Sequence, residues 1–172
     1  MTIPFDRSQS KLIVVHHLGD GQPPCKTVDE LIRRSTPIGY GAPVYDFGVL
    51  ENGECVELRS LMLQGAHCIP NVARYEHEDR QWWNKKSIGI VVASDNEKYS
   101  VNENMYAGLI NKLVYLCNMQ GISADNIYPH FQVYSTKCPG ASYRKLCLNT
   151  GHLDYDRVEQ SVNSRCLLKA NL

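Results

Sequence analysis

The chain has 172 residues, 43% of them hydrophobic and 21% charged, and its 18 basic and 18 acidic side chains cancel to a formal net charge of zero. A single globular domain of this size buries roughly 70% of the surface its unfolded chain exposes, so neither a disulfide nor a metal is needed merely to fold it. The charge balance, with no basic run longer than Lys85-Lys86 or Arg33-Arg34, excludes the electrostatic footprint of a nucleic-acid binder.

The N-terminus, Met1 to Arg7, has no basic segment followed by an apolar one, and no stretch approaches the roughly 20 apolar residues of a membrane span. The expectation is a soluble protein made in the cytoplasm. Residues 11–17 are continuously apolar and β-branched up to His16-His17, the pattern of a central strand covered on both faces. Thr27-Val28-Asp29-Glu30 has capping-box spacing and predicts a helix to about Ser35, before Pro37 and Gly39. Two extended runs, 44–50 and 54–58, flank Asn52-Gly53 and predict an antiparallel hairpin.

A polar, aromatic loop of about 20 residues, 68–86, is long enough to be functional. It precedes a second buried strand, Ser87 to Ala93. The stripe Met105, Leu109, Ile110, Leu113, Leu116 and Cys117 predicts a helix over 102–120 that ends at Gly121. Residues 127–130 read as a short extended piece, Pro139 as the first residue of a helical segment, and 153–168 as a terminal helix. These elements specify an α/β fold, a central mixed β-sheet flanked by helices, in a single domain over 1–172. The seven cysteines, 25, 55, 68, 117, 138, 147 and 166, are odd in number and read mostly as reduced thiols.

The run Thr136-Lys137-Cys138-Pro139-Gly140 begins six residues after His130. A thiolate and an imidazole so placed can share a metal ion, and the strand-end pair His16-His17 offers a third donor. Two His and one Cys make an open zinc site, since catalytic zinc keeps three protein ligands and leaves a position for water or substrate. Neighbouring side chains of a strand face opposite ways, so His16 and His17 cannot both reach one ion. Against this stand a structural reading of each residue and a metal-free one, with Cys138 as nucleophile and His130 as base. Trp82-Trp83 reads as one core anchor and one surface residue, and the cluster Tyr75 to Asp79, with His77, as a solvated loop.

Five motifs in order carry a family resemblance: Val15-His16-His17-Leu18, Val44 to Gly53, Gly65-Ala66-His67, Ser87-Ile88-Gly89-Ile90 and Thr136 to Gly140. The chain resembles zinc-dependent N-acetylmuramoyl-L-alanine amidases of the second type over about residues 11–147. These include phage lysozymes that are amidases and the peptidoglycan recognition proteins. The resemblance implies that family's fold, one Zn²⁺ held by His16, His130 and Cys138, and His17 outside the ligand set. It implies Tyr45 and Thr136 as catalytic residues, with the adjacent charge of Lys137, and His67, His17 and Asp46 on the substrate side. For His67, a place along the groove and a hydrogen bond that holds a loop stay equally open.

The implied reaction is hydrolysis of the amide bond between the lactyl group of N-acetylmuramic acid and the L-alanine of the stem peptide. The partner is then peptidoglycan or its muropeptides, and the protein a monomer. Thr136 stands where many relatives carry Lys, which is the pattern of the catalytic recognition proteins. Val91 and Cys138 replace the Glu and Asp common in cytoplasmic recycling enzymes, so that role is less favoured than phage lysis or export to the wall as an antibacterial, bacteriolytic enzyme. A non-catalytic peptidoglycan-binding module of the same fold is the alternative, and such modules typically lose the Cys ligand retained here.

Overall fold

The computed structural model describes residues 3–68 and 81–142. They form a five-stranded sheet of β1 (Leu12–His17), β2 (Phe47–Val49), β3 (Cys55–Glu57), β4 (Ser87–Val92) and β5 (Ile127–Pro129), in the spatial order β3-β2-β4-β1-β5. β1 runs parallel to β4 and β5, β2 runs parallel to β4, and β3 pairs antiparallel with β2. The sheet is therefore mixed, with helices α1 (Val28–Ser35), α2 (Trp82–Lys86), α3 (Glu103–Gln120) and α4 (His130–Val133) around it.

Strand alternation sorts the core into two faces. Ile13 and Val15 of β1 join Ile88, Ile90 and Val92 of β4 against Met105, Leu109, Leu113 and Leu116 of α3. On the other face, Val14 packs with Trp83 and Val133, and Val91 with Leu31 and Leu50. Each fully buried aliphatic side chain contributes about 1.5–3 kcal/mol, so strands covered on both sides must be apolar throughout. Polar residues at such positions need a specific reason to be there. On β1 they are His16 and His17, at the strand's C-terminal end, where β-sheets of this class carry their sites.

The long helix begins where Asn102 accepts a hydrogen bond from the Met105 N–H at 2.8 Å and ends at Gly121, whose φ is 61°. Thr27 caps α1 by accepting from the Glu30 N–H at 3.2 Å, but Glu30 reaches back to the Lys26 N–H at 3.1 Å instead of closing the box on Thr27. The hairpin turns at Gly53, φ 86°. There α3 touches it backbone to backbone, because Gly108 has no Cβ to meet the Gly53 carbonyl.

Two expectations change. Part of the 68–86 stretch is the short helix α2, which seats Trp83 in the core and leaves Trp82 half-buried. The helical segment expected to start at Pro139 begins at Ala141 instead; Pro139 follows a cis peptide in the Cys138-Pro139 turn, and its carbonyl accepts from the Asn96 side chain. The terminal helix predicted over 153–168, the 75–79 cluster, Cys147 and Cys166 lie outside the described residues. The five described cysteines are free thiols, and among the described residues no helix is long and apolar enough to cross a membrane.

Gly108→Ala is expected to destabilise the protein by about 1–3 kcal/mol, because the added methyl meets backbone that cannot rotate away. A thermal melt reads this as a loss of about 2–4 °C per kcal/mol. An unchanged midpoint would show that the hairpin turn yields at no cost.

Candidate metal and catalytic site

His16 pairs in register with Val91 and lies on the face of β1 away from α3, with 1% of its surface exposed. His130 opens α4 immediately after β5, the neighbour of β1. The loop after α4 returns because the Phe131 N–H donates to the Cys138 carbonyl at 2.9 Å, bringing Cys138 beside His130. One ligand atom from each of His16, His130 and Cys138 lies within 4.8 Å of the others. His16 Nδ1 is 3.8 Å from Cys138 Sγ, and the His16 and His130 ring centroids are 4.3 Å apart.

The thiol of Cys138 is supported from two sides. The backbone N–H of His17 donates to Sγ at 3.3 Å, which favours the thiolate. Thr136 Oγ1 accepts the Cys138 N–H at 3.2 Å and shapes the loop that delivers the sulfur. Lys137 is exposed. His17 itself points to the other side of the strand, where Nδ1 accepts from the Asn96 N–H at 3.0 Å and lies 3.8 Å from the Asp95 carboxylate. Its ring ties β1 to the loop after β4.

Tyr45 packs its ring 5.2 Å from that of His16. Burial, reinforced by the Cys138 sulfur, pushes its phenol pKa up, so the group stays a neutral proton donor. Asp46, also expected to meet substrate, is fully buried. Its carboxylate accepts from Arg7 at 2.8 and 2.5 Å and from the Gly89 N–H at 2.8 Å. Burial raises the Asp46 pKa while the Arg7 guanidinium pulls it back down. The pair pins the residue next to Tyr45 onto β4.

His67 belongs to the same buried cluster. Its Nδ1 lies 3.0 Å from His16 Nε2 and 3.3 Å from Cys68 Sγ, and its Nε2 lies 3.5 Å from Ser87 Oγ. The ring sits where Gly89 has no side chain, since a Cβ there would overlap it. Burial, with the charge of Arg7, lowers its pKa to about 3. These contacts run to the end of β1, to Cys68 and to the start of β4.

The residues fit a zinc ion. His130 Nε2 is buried with no hydrogen-bond partner among the described residues, a state that costs roughly 1–3 kcal/mol unless something takes its lone pair. Burial lowers the pKa of His130 to about 4 and that of His16 well below its ordinary value, which keeps both imidazoles in the neutral, ligating form. Two neutral imidazoles and a thiolate are a common open zinc set. A cavity of about 340 Å³ adjoins the cluster at Cys68 and is lined also by Tyr40, Arg59, Gln64 and Asn84. The Arg59 guanidinium, 5% exposed, donates to the Gln64 and Pro43 carbonyls at 2.9 and 3.2 Å but meets no carboxylate within ion-pair range among the described residues.

Arg7 and Arg59 had no sequence signal as site residues, being single cations in unremarkable contexts. Replacing Arg7 with Ala should destabilise the fold by about 3–5 kcal/mol, because Asp46 is left as a buried unpaired charge; a urea titration within 1 kcal/mol of the parent would contradict the pairing. A second expectation concerns pH. His130 titrates near 4 when folded and near 6.5 when unfolded, so the unfolded chain binds the proton first. Stability of the zinc-free protein should therefore be complete above about pH 6.5 and fall as pH drops toward 4; a flat profile across that window would refute a neutral buried His130.

Comparisons place this geometry among known proteins. The family profile described as N-acetylmuramoyl-L-alanine amidase matches residues 6–141. Drosophila PGRP-LB superposes with a TM-score of 0.65 at 21% identity, over 85% of this chain and 84% of that one. Drosophila peptidoglycan recognition protein SD gives 0.66 at 18%, over 88% and 86%. The N-acetylmuramoyl-L-alanine amidase LysC from Clostridium intestinale gives 0.58 at 20%, over 93% and 90%. At these identities the likeness is one of fold. No curated protein matches the sequence. A profile spanning 136 consecutive residues, matched on a mixed sheet that brings two His and a Cys together, shows that the chain belongs to the N-acetylmuramoyl-L-alanine amidase family.

Proposed function

We propose that the protein is a zinc-dependent hydrolase of bacterial cell wall that cleaves the amide bond between the lactyl group of N-acetylmuramic acid and the L-alanine of the stem peptide. The observation that carries this reading is the convergence of His16, His130 and Cys138 on one point, with His130 Nε2 unpartnered among the described residues and the Tyr45 ring against His16. Zinc held by those three side chains supplies Lewis acidity, which polarises a carbonyl and acidifies water at neutral pH. The other parts of the reaction belong to the chain itself.

Tyr45 donates a hydrogen bond from its phenol to the carbonyl oxygen as that oxygen gains charge. Its raised pKa suits this role, since the donor must not ionise at working pH. Thr136 accepts the Cys138 N–H on its oxygen, and its hydroxyl is the second polar group assigned to the reaction. The leaving alanine amine takes a proton from water, because neither His16 nor His130 carries a spare one at neutral pH. The cavity beside Cys68 accepts the stem peptide, with Arg59 as the cation for one of its carboxylates. Among the described residues Arg59 has no carboxylate within ion-pair range and feels only the more distant attraction of Asp46, and a desolvated cation so placed favours an anionic ligand.

Non-catalytic binding is the rival. Two structures of the same fold are complexes with tracheal cytotoxin, one of a Drosophila PGRP-LB mutant and one of PGRP-LCa with PGRP-LCx. A complete ligand set with a neutral Tyr beside it favours the enzyme.

Purified protein with one equivalent of zinc is expected to release free N-terminal alanine from whole peptidoglycan, read by mass spectrometry of the fragments. Release of reducing sugar instead would mean a glycosidase, and binding without turnover would establish the rival. Activity that survives exhaustive chelation would point to Cys138 as a nucleophile. His16→Ala should lose both zinc and activity, whereas His17→Ala should keep most of its zinc, because the backbone N–H that serves Cys138 remains. Tyr45→Phe should retain zinc and lose about 10²–10³ in rate; an unchanged rate would remove Tyr45 from the mechanism.

A further inference from the structure

His16 presents its two ring nitrogens to different neighbours. Nδ1 faces the Cys138 sulfur at 3.8 Å, and Nε2 lies 3.0 Å from Nδ1 of His67. A neutral imidazole has one N–H and one lone pair, so the nitrogen able to hold a metal is decided by where the proton sits.

The contacts beyond His67 decide it. Ser87 Oγ lies 2.6 Å from the Trp83 carbonyl oxygen, which has no proton to give, so the hydroxyl donates there. Its single proton is thereby committed, and Ser87 meets His67 Nε2 only as an acceptor. His67 then carries its proton on Nε2 and keeps the Nδ1 lone pair. Two donors converge on that lone pair, the His16 Nε2–H and the Cys68 thiol at 3.3 Å. Hydrogen-bond polarity runs from His16 through His67 and Ser87 to the Trp83 carbonyl. The Nδ1 of His16 is left bare on the side of Cys138 and His130. The relay is rigid, since His67 is buried and its ring lies against Gly89.

We infer that His67 is a positioning residue: it accepts a hydrogen bond from His16 and holds that ring in the tautomer whose Nδ1 lone pair faces Cys138 and His130. Ser87 orients the relay and Gly89 makes room for it. The inference rests on the zinc reading for its purpose, while the tautomer is a property of the zinc-free chain. Partners of this kind typically change metal affinity by about 10–100-fold.

The test uses the full chain, ¹⁵N-labelled, as the parent and as His67→Phe and His67→Asn. Long-range ¹H–¹⁵N correlation spectra of the zinc-free proteins report the His16 tautomer, and chelator competition reports zinc affinity and stoichiometry. The parent is expected to carry the His16 proton on Nε2 and to bind one zinc. His67→Phe should lose the tautomer bias and bind zinc about 10–100-fold more weakly, and His67→Asn, whose amide oxygen lies near the Nδ1 position, should recover to within about threefold. A parent His16 protonated on Nδ1 overturns the inference, as does undiminished affinity in His67→Phe or an Asn variant no better than Phe. A second zinc lost with His67 would make His16, His67 and Cys68 ligands of their own and overturn it as well. Should His67→Phe not fold, His67→Asn is read in its place and is expected to keep the His16 proton on Nε2; a His16 protonated on Nδ1 in that variant rejects the relay. A parent that binds no zinc refutes the proposed function, and the His16 tautomer then still decides this inference.

Discussion

The structure depends on one buried charge. Asp46 lies between β2 and β4, takes both oxygens' worth of donors from Arg7, and accepts the Gly89 N–H, while its own backbone pairs with the Gly89 carbonyl and with Leu58. Two charges removed from water are tolerable only when each is well hydrogen-bonded by the other and by its surroundings, and here Arg7 also donates to the Leu63 and Ser87 carbonyls. The consequence is positional. Asp46 ties Tyr45 to the edge of β4, and the glycine it grips is the one that leaves space for His67. Three parts of the site thus rest on one ion pair whose members are 39 residues apart in sequence.

A second constraint is the absence of side chains at chosen places on the site face of the sheet. A Cβ at Gly48 would overlap Leu31, and one at Gly89 would overlap His67. These glycines do not serve positive φ. They let a helix residue and an imidazole lie directly on the sheet. The result is a face where apolar packing under α1 passes within one strand into a buried cluster of imidazoles and thiols. Burial without counter-charge keeps those imidazoles neutral, which is the form that binds metal and passes hydrogen bonds in one direction.

The expected site residues were unevenly legible, for reasons that differ residue by residue. His16, His130 and Cys138 could be picked out because each ends or follows an element whose pattern is plain: a both-face-buried strand, a short extended piece, a Pro-Gly turn. The strand period says that only one of His16 and His17 can reach the ion, and the family resemblance is what points to His16. The pairing of Asp46 with Arg7 left no trace in the sequence, because Arg7 sits in a segment with no pattern of its own. His17 contributes its backbone N–H, a group that every residue has and no motif advertises.

Taken by itself, the sequence determined the α/β class, the long helix over 103–120, the hairpin at Asn52-Gly53 and the family, because local periodicity, capping and turn chemistry act over a few residues and leave a readable trace. Only the tertiary structure decided which polar residues are buried against which. It assigned Asp46 to Arg7, His17 to Asn96 and His67 to His16 and Ser87. Those pairings join residues 20 to 79 positions apart, and they exist because a desolvated polar group must find whatever complementary group the fold brings within about 3 Å. Sequence spacing carries no record of that proximity.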